Sequence, residues 1–188
     1  MPIVLAHYST QKFRSAGFSL IELLVTITVI GILASAAAPS FTTMLEKRRL
    51  IAATEGVYAH LQFARSEAVK FGGGDENLNV SIKAGTPWCL GISNDTSNCD
   101  CNTAAACIYG PLGSTSERNL SGNDFTSVAL VTNQTNVQVD RIRGGFAGTG
   151  GHITLTSSPS SLTTKVYFSK MGRLRICTDS GLGGYPSC

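Results

Sequence analysis

Between Phe18 and Ala38 the chain carries 21 residues with a single charge, Glu22. As a helix rising about 1.5 Å per residue this run is roughly 31 Å long, enough to cross a bilayer core. Lys12 and Arg14 precede it and Lys47-Arg48-Arg49 follows. Basic residues at both ends leave the span unoriented by charge alone. A secretory signal peptide is one use of such a run, with an apolar stretch over 18–33 and cleavage at Ala34-Ser35-Ala36. Glu22 points elsewhere. A carboxylate inside a membrane helix costs roughly 2–3 kcal/mol or more unless it finds a partner. Cleavage between Gly17 and Phe18 would create a cationic amine near that carboxylate. The Glu22 of a neighbouring subunit could neutralise the amine in a packed filament.

Gly17-Phe18-Ser19-Leu20-Ile21-Glu22-Leu23-Leu24-Val25 resembles the processing and methylation motif of type IV pilins and type II secretion pseudopilins. The resemblance implies that a prepilin peptidase removes residues 1–17 and methylates the amine of Phe18. It also implies that Glu22 serves assembly with other pilins or pseudopilins. The protein is then expected to span the inner membrane once, with a periplasmic C-terminal domain, before entering a pilus at the cell surface. Residues 18–39 form the transmembrane and filament-core helix on this reading. Pro39 removes a helix hydrogen bond and clashes with the preceding turn, which predicts a kink or melted stretch there.

A helical pattern resumes over 40–71. Leu50, Ala53, Val57, Leu61, Ala64, Ala68 and Phe71 recur at steps of three and four, one apolar stripe of an amphipathic helix. Glu55, Arg65, Glu67 and Lys70 lie off the stripe, and Gly72-Gly73-Gly74 ends it. From Asn77 the period becomes two. Leu78, Val80 and Ile82, a turn at Ala84–Pro87, then Trp88, Leu90 and Ile92 predict a hairpin. Residues 93–124, rich in Ser, Asn, Asp and Gly, read as a long surface loop around an apolar piece at 107–109. Further strands are expected at 128–131, 137–142, 153–155, 165–168 and 174–176. Leu61-Gln62-Phe63-Ala64-Arg65-Ser66-Glu67-Ala68-Val69 resembles the helix motif of the FimT/GspH group of minor pilins and pseudopilins. The fold class is α+β, pilin-like, with a long N-terminal helix packed on an antiparallel β-sheet meander spanning 72–188.

Six cysteines suit an oxidising compartment. Cys177 and Cys188 are the best single pair, stapling a Gly-rich tail to the last strand, worth roughly 2–3 kcal/mol. Cys89, Cys99, Cys101 and Cys107 are expected to pair among themselves, Cys99 with Cys101 excepted because so short a loop is strained. A zinc site from these four lacks the spacing of two knuckles. No cofactor and no metal is implied, and no catalytic constellation accompanies His7, His60 or His152. An enzyme is not expected.

Charged residues are 14% of the chain and its net charge is +3, which argues against a charged disordered tail. The signs are unevenly placed. Residues 72–139 hold two basic residues against six acidic, and residues 140–188 hold six basic against two acidic. In Gly172-Arg173-Leu174-Arg175-Ile176, a strand would put Arg173 and Arg175 on one face, about 6.6 Å apart, and Leu174 and Ile176 in the core. Arg141 and Arg143 show the same alternation in another expected strand, and Lys165 and Lys170 are flanking candidates. The segment resembles the GRxR motif of FimT-type pilins, which bind DNA for uptake in natural transformation. The resemblance implies electrostatic capture of DNA without sequence reading. The alternatives are a structural minor pilin that primes or links the pilus tip, and a type II secretion pseudopilin.

Overall fold

The computed structural model describes residues 17–70, 78–95, 97–111, 113–182 and 184–188, without the side chains of 37–39. Residues 1–16 of the segment expected to be removed, Phe71 and the Gly72–Gly74 helix stop lie outside the described residues. Two compact units divide the chain, Met1–Ser40 and Phe41–Cys188.

Helix α1 runs from Leu20 to Lys70. Ser19 caps it: the Glu22 amide donates to Ser19 Oγ at 3.2 Å and to the Ser19 carbonyl at 3.1 Å. A Ser at this place satisfies an amide that the first turn leaves without a partner. In the first unit every described side chain from Gly17 to Ala36 is exposed, and the apolar ones cover all sides of the helix. Such a surface belongs in lipid or against other helices. Taken separately, Leu20–Ala36 and Ser40–Lys70 do not each cross a membrane by length and composition; as a pair they meet that requirement. The backbone remains helical through Pro39, so of the two expected outcomes, a kink or a melted stretch, the described residues do not show melting.

In the second unit the predicted stripe is the buried face of α1. Leu50, Ala53, Val57, Leu61, Ala64 and Ala68 have no exposed surface. Thr54 shares this face and is satisfied there, bonded to the Leu50 carbonyl (2.7 Å) and to Thr164 Oγ1 (2.6 Å).

Strands β1 (Leu78–Lys83) and β2 (Cys89–Ser93) form the expected hairpin, with Val80 opposite Ile92 and Ile82 opposite Leu90. The region read as surface loop holds three short strands: β3 (Ile108–Tyr109), β4 (Ser116–Glu117) and β5 (Asn119–Ser121). Two or three residues carry no readable alternation. Next come β6 (Val128–Thr132), β7 (Asn136–Val139), β8 (Gly151–Ser157), β9 (Thr163–Phe168) and β10 (Leu174–Thr178).

The meander is divided between two four-stranded antiparallel sheets, ordered β5-β2-β1-β7 and β10-β9-β8-β6. Strand β7 leaves its sequence neighbours and pairs with β1, burying Val137 and Val139. Both faces of β1 are buried, because the cysteine-rich insert covers the one turned from the helix. Asn79 Nδ2 donates to the Asp95 carbonyl (2.6 Å), and the Cys99 amide donates to Ser81 Oγ (2.9 Å). Disulfides Cys89–Cys101 and Cys99–Cys107 hold this cover, and Cys177–Cys188 ties the tail to β10.

The core joins α1 to both sheets, with Trp88 its largest fully buried side chain. Trp88 Nε1 donates to the Val128 carbonyl at 3.0 Å. His60 is only 3% exposed, and its Nε2 is buried without a hydrogen-bond partner. Burial, helped by the Arg118 charge, pulls its pKa down to about 4. The unfolded chain therefore binds this proton more readily than the folded one. Stability is expected to fall by on the order of 3 kcal/mol as pH drops from 6.5 to about 4. Urea unfolding of wild type and His60→Leu, followed by Trp88 fluorescence at pH 7 and pH 4.5, checks this. The variant should lose much of the pH dependence.

Candidate nucleic-acid interface

Strand β10 forms one edge of its sheet and lies in the register the alternation requires. Leu174 faces Phe168 and Ile176 faces Val166, both packed against the core, while Arg175 faces Tyr167 on the outer side. The tight turn at Ser169–Gly172 delivers Arg173 to the start of this strand. It is closed by the Gly172 amide on the Ser169 carbonyl (2.8 Å), the Ser169 amide on the Arg173 carbonyl (3.0 Å) and the Arg173 amide on Ser169 Oγ (3.0 Å). Arg173 and Arg175 are both exposed and border one cleft with Tyr167. The Arg175 guanidinium lies 5.4 Å from the Tyr167 ring centre, and the His152 ring on β8 lies 5.5 Å from the same ring. Lys170, on the turn, is exposed too. Among the described residues none of Lys170, Arg173 and Arg175 is in an ion pair.

Arg141 and Arg143 are not on a strand, which corrects the expected extension of that strand to 142. Strand β7 stops at Val139, and the chain turns. Asp140 makes the turn: its Oδ1 accepts the amides of Ile142 (2.8 Å) and Arg143 (3.2 Å). Its backbone bonds Gly144 and Gly145, each at 2.8 Å. An Asp side chain that captures the amide two residues on competes directly with a sheet ladder. The same amides, Ile142's first, hold the Asp140 carboxyl below its ordinary pKa. Arg143 is exposed and Arg141 half-buried.

The two turns nonetheless meet. Arg65 on α1 donates from Nε to the Gly144 carbonyl at 2.6 Å. Gly172 adopts φ +78°, where a Cβ would come within 2.5 Å of the Gly144 oxygen and 2.9 Å of Arg65 Nε. A Cβ on Gly145 would collide with the Lys170 carbonyl. The arginine-bearing turn at 140–145 is thus fitted against the turn that carries Lys170 and Arg173. Arg65 is the residue that reading the pattern missed as part of this site. It lay in plain view in the helix motif, but only as a polar residue off the stripe.

The flanking candidate Lys165 is otherwise engaged, and so is Tyr185. Lys165 Nζ pairs with Asp179 at 2.8 Å, and that hydrogen-bonded carboxylate raises the lysine pKa above its ordinary value. Tyr185, in the C-terminal tail, donates its hydroxyl to Glu55 on α1 at 2.8 Å. Burial, then Glu55, pushes its pKa up to about 12.

Two family comparisons bear on this architecture. The prokaryotic N-terminal methylation motif matches residues 12–38. The type II transport protein GspH matches residues 53–172, most of the helix-and-sheet unit. The chain belongs to the GspH family. This GspH-family chain is a type IV minor pilin or pseudopilin; the family is a structural one, and membership implies assembly with other pilins or pseudopilins and processing by a prepilin peptidase. It is a single-pass inner-membrane protein that later joins the pilus. No curated protein and no solved structure gives a significant match. The GspH match ends at Gly172, so Arg173 and Arg175 lie just beyond it.

Proposed function

We propose that this subunit captures DNA for uptake in natural transformation, through the phosphate backbone and without reading sequence. The observation that carries the proposal is the pair Arg173 and Arg175, exposed, without ion pairs among the described residues, and side by side at a sheet edge. Guanidinium groups fork onto phosphate oxygens, and such contacts position a nucleic acid rather than select its bases. Lys170 and the turn carrying Arg141 and Arg143 add positive charge beside the pair. Lys165 contributes less, because Asp179 already neutralises it.

The N-terminal roles belong to the same proposal. Cleavage falls between Gly17 and Phe18, the Phe18 amine is methylated, and Glu22 meets the amine of a neighbouring subunit during assembly. Gly17 suits the cleavage position: it is exposed outside the helix, and among the described residues nothing lies within 4 Å of where a Cβ would be.

The second reading, a type II secretion pseudopilin, is favoured by the matched family's own description. A structural minor pilin that primes or links the tip shares its expected lack of DNA affinity. One titration separates both from DNA capture. The full chain in detergent is mixed with labelled duplex DNA at several salt concentrations. DNA capture predicts that log K falls linearly with log salt, with a slope of about −2 to −4 for that many phosphate contacts. Absence of binding leaves the structural and pseudopilin readings.

A further inference from the structure

Phosphate capture needs cationic groups alone, yet the basic turns also display apolar ones. Ile142, between Arg141 and Arg143, is 87% exposed, and Met171, beside Lys170, is 85% exposed. No large apolar side chain of the described membrane segment is as open; Leu20 reaches 83%. Scattered exposed apolar residues are ordinary. These two stand on turns that are fitted together by Gly145, Gly172 and Arg65.

The cleft between Arg173 and Arg175 adds an independent feature. Its volume is about 190 Å³, and Tyr167, whose ring centre lies 5.4 Å from the Arg175 guanidinium, is one of the residues that line it. That is below the roughly 300–1,000 Å³ of pockets that enclose whole small molecules. It suits one flat group attached to something larger.

Resting on the DNA-capture reading, we infer that this site takes DNA with unpaired bases. One base enters the cleft against Tyr167 while phosphates on either side lie on Arg173 and Arg175. Ile142 and Met171 cover the faces of adjacent bases. In a duplex those faces are stacked and hidden. In a single strand they are open to aromatic and apolar side chains. A site built of charge alone ranks the duplex higher, since its phosphates are denser along the axis. The base contacts reverse that order.

The test uses the full chain in detergent and three labelled probes of roughly 12 nucleotides, a length within the usual range for such sites. These are oligothymidine, an abasic strand with the same phosphates, and a duplex. Oligothymidine should bind tightest, with the abasic strand roughly tenfold weaker, the loss expected for about one stacked base. Ile142→Gln with Met171→Gln should bring oligothymidine towards the abasic level and leave abasic binding unchanged, and Tyr167→Leu, which also removes the ring beside Arg175, should weaken oligothymidine more than the abasic strand. If Tyr167→Leu fails to fold, the exposed pair carries the test alone. Equal affinity for oligothymidine and the abasic strand overturns the inference and leaves DNA capture standing. Failure of all three probes to bind overturns DNA capture, and the inference with it.

Discussion

Valine at Gly172 is expected to destabilise the sheet domain by on the order of 3 kcal/mol and to remove DNA binding with it. Two costs add. The backbone there has φ +78°, a region that a β-branched residue adopts only under strain. The new Cβ would also press on the Gly144 carbonyl at 2.5 Å and on Arg65 Nε at 2.9 Å. The Gly144 carbonyl is backbone and cannot swing aside, so the two turns must part. Their separation would break the Arg65 hydrogen bond and move Arg173 away from Arg143. Urea unfolding followed by Trp88 fluorescence reads the first effect, and a DNA titration below the transition reads the second. A variant as stable as wild type would show that the turns are not held as described.

Glutamine at Glu22 is expected to leave the subunit processed and inserted in the membrane but to lower its recovery in filaments by at least about a hundredfold. Removing one member of a buried charge pair costs roughly 3–5 kcal/mol, which sets that scale. The competing role for Glu22 is local. It sits in the first turn of α1, where a carboxylate favours the helix through the dipole by only about 0.3–1 kcal/mol. That smaller effect would reduce recovery a few-fold at most. Immunoblots of sheared filaments and of membranes from the same cells distinguish the two. Wild-type recovery in the filament fraction would remove neutralisation of a neighbour's amine from the account.

What could be read from the sequence was what depends on short spacing. The stripe from Leu50 to Ala68 needs only the helical period, and each of its described members is fully buried. The hairpin of β1 and β2 follows from alternation on either side of one turn. Cys177 and Cys188 are separated by 11 positions across a Gly-rich tail, a local problem as well. The alternation that places Arg173 and Arg175 outward has Leu174 and Ile176 to fix it.

Where two local signals competed, the pattern misled. Val137 to Ile142 alternates well enough for a strand, but the Asp140 carboxylate captures the amides that a longer ladder would need. Long-range choices left no mark. Nothing in β7 says that it pairs with β1 rather than with its sequence neighbours. Arg65 meets Gly144 across 79 positions, and neither residue hints at the other. The insert around Cys99 looked like a surface loop because it is polar. Its backbone, through the Asp95 carbonyl and the Cys99 amide, is what satisfies Asn79 and Ser81 on the covered face of β1.

The most direct measurement is DNA affinity of the full chain in detergent carrying Arg173→Gln and Arg175→Gln, beside a control with Arg48→Gln and Arg49→Gln. The control removes the same charge from exposed positions on α1. Capture by the β10 pair predicts that the first variant loses binding, or shows a salt slope shallower by about 2. Its unfolding midpoint should stay that of wild type, and the control should bind as wild type does. Unchanged affinity in the Arg173/Arg175 variant, or an equal loss in both, would contradict the assigned site.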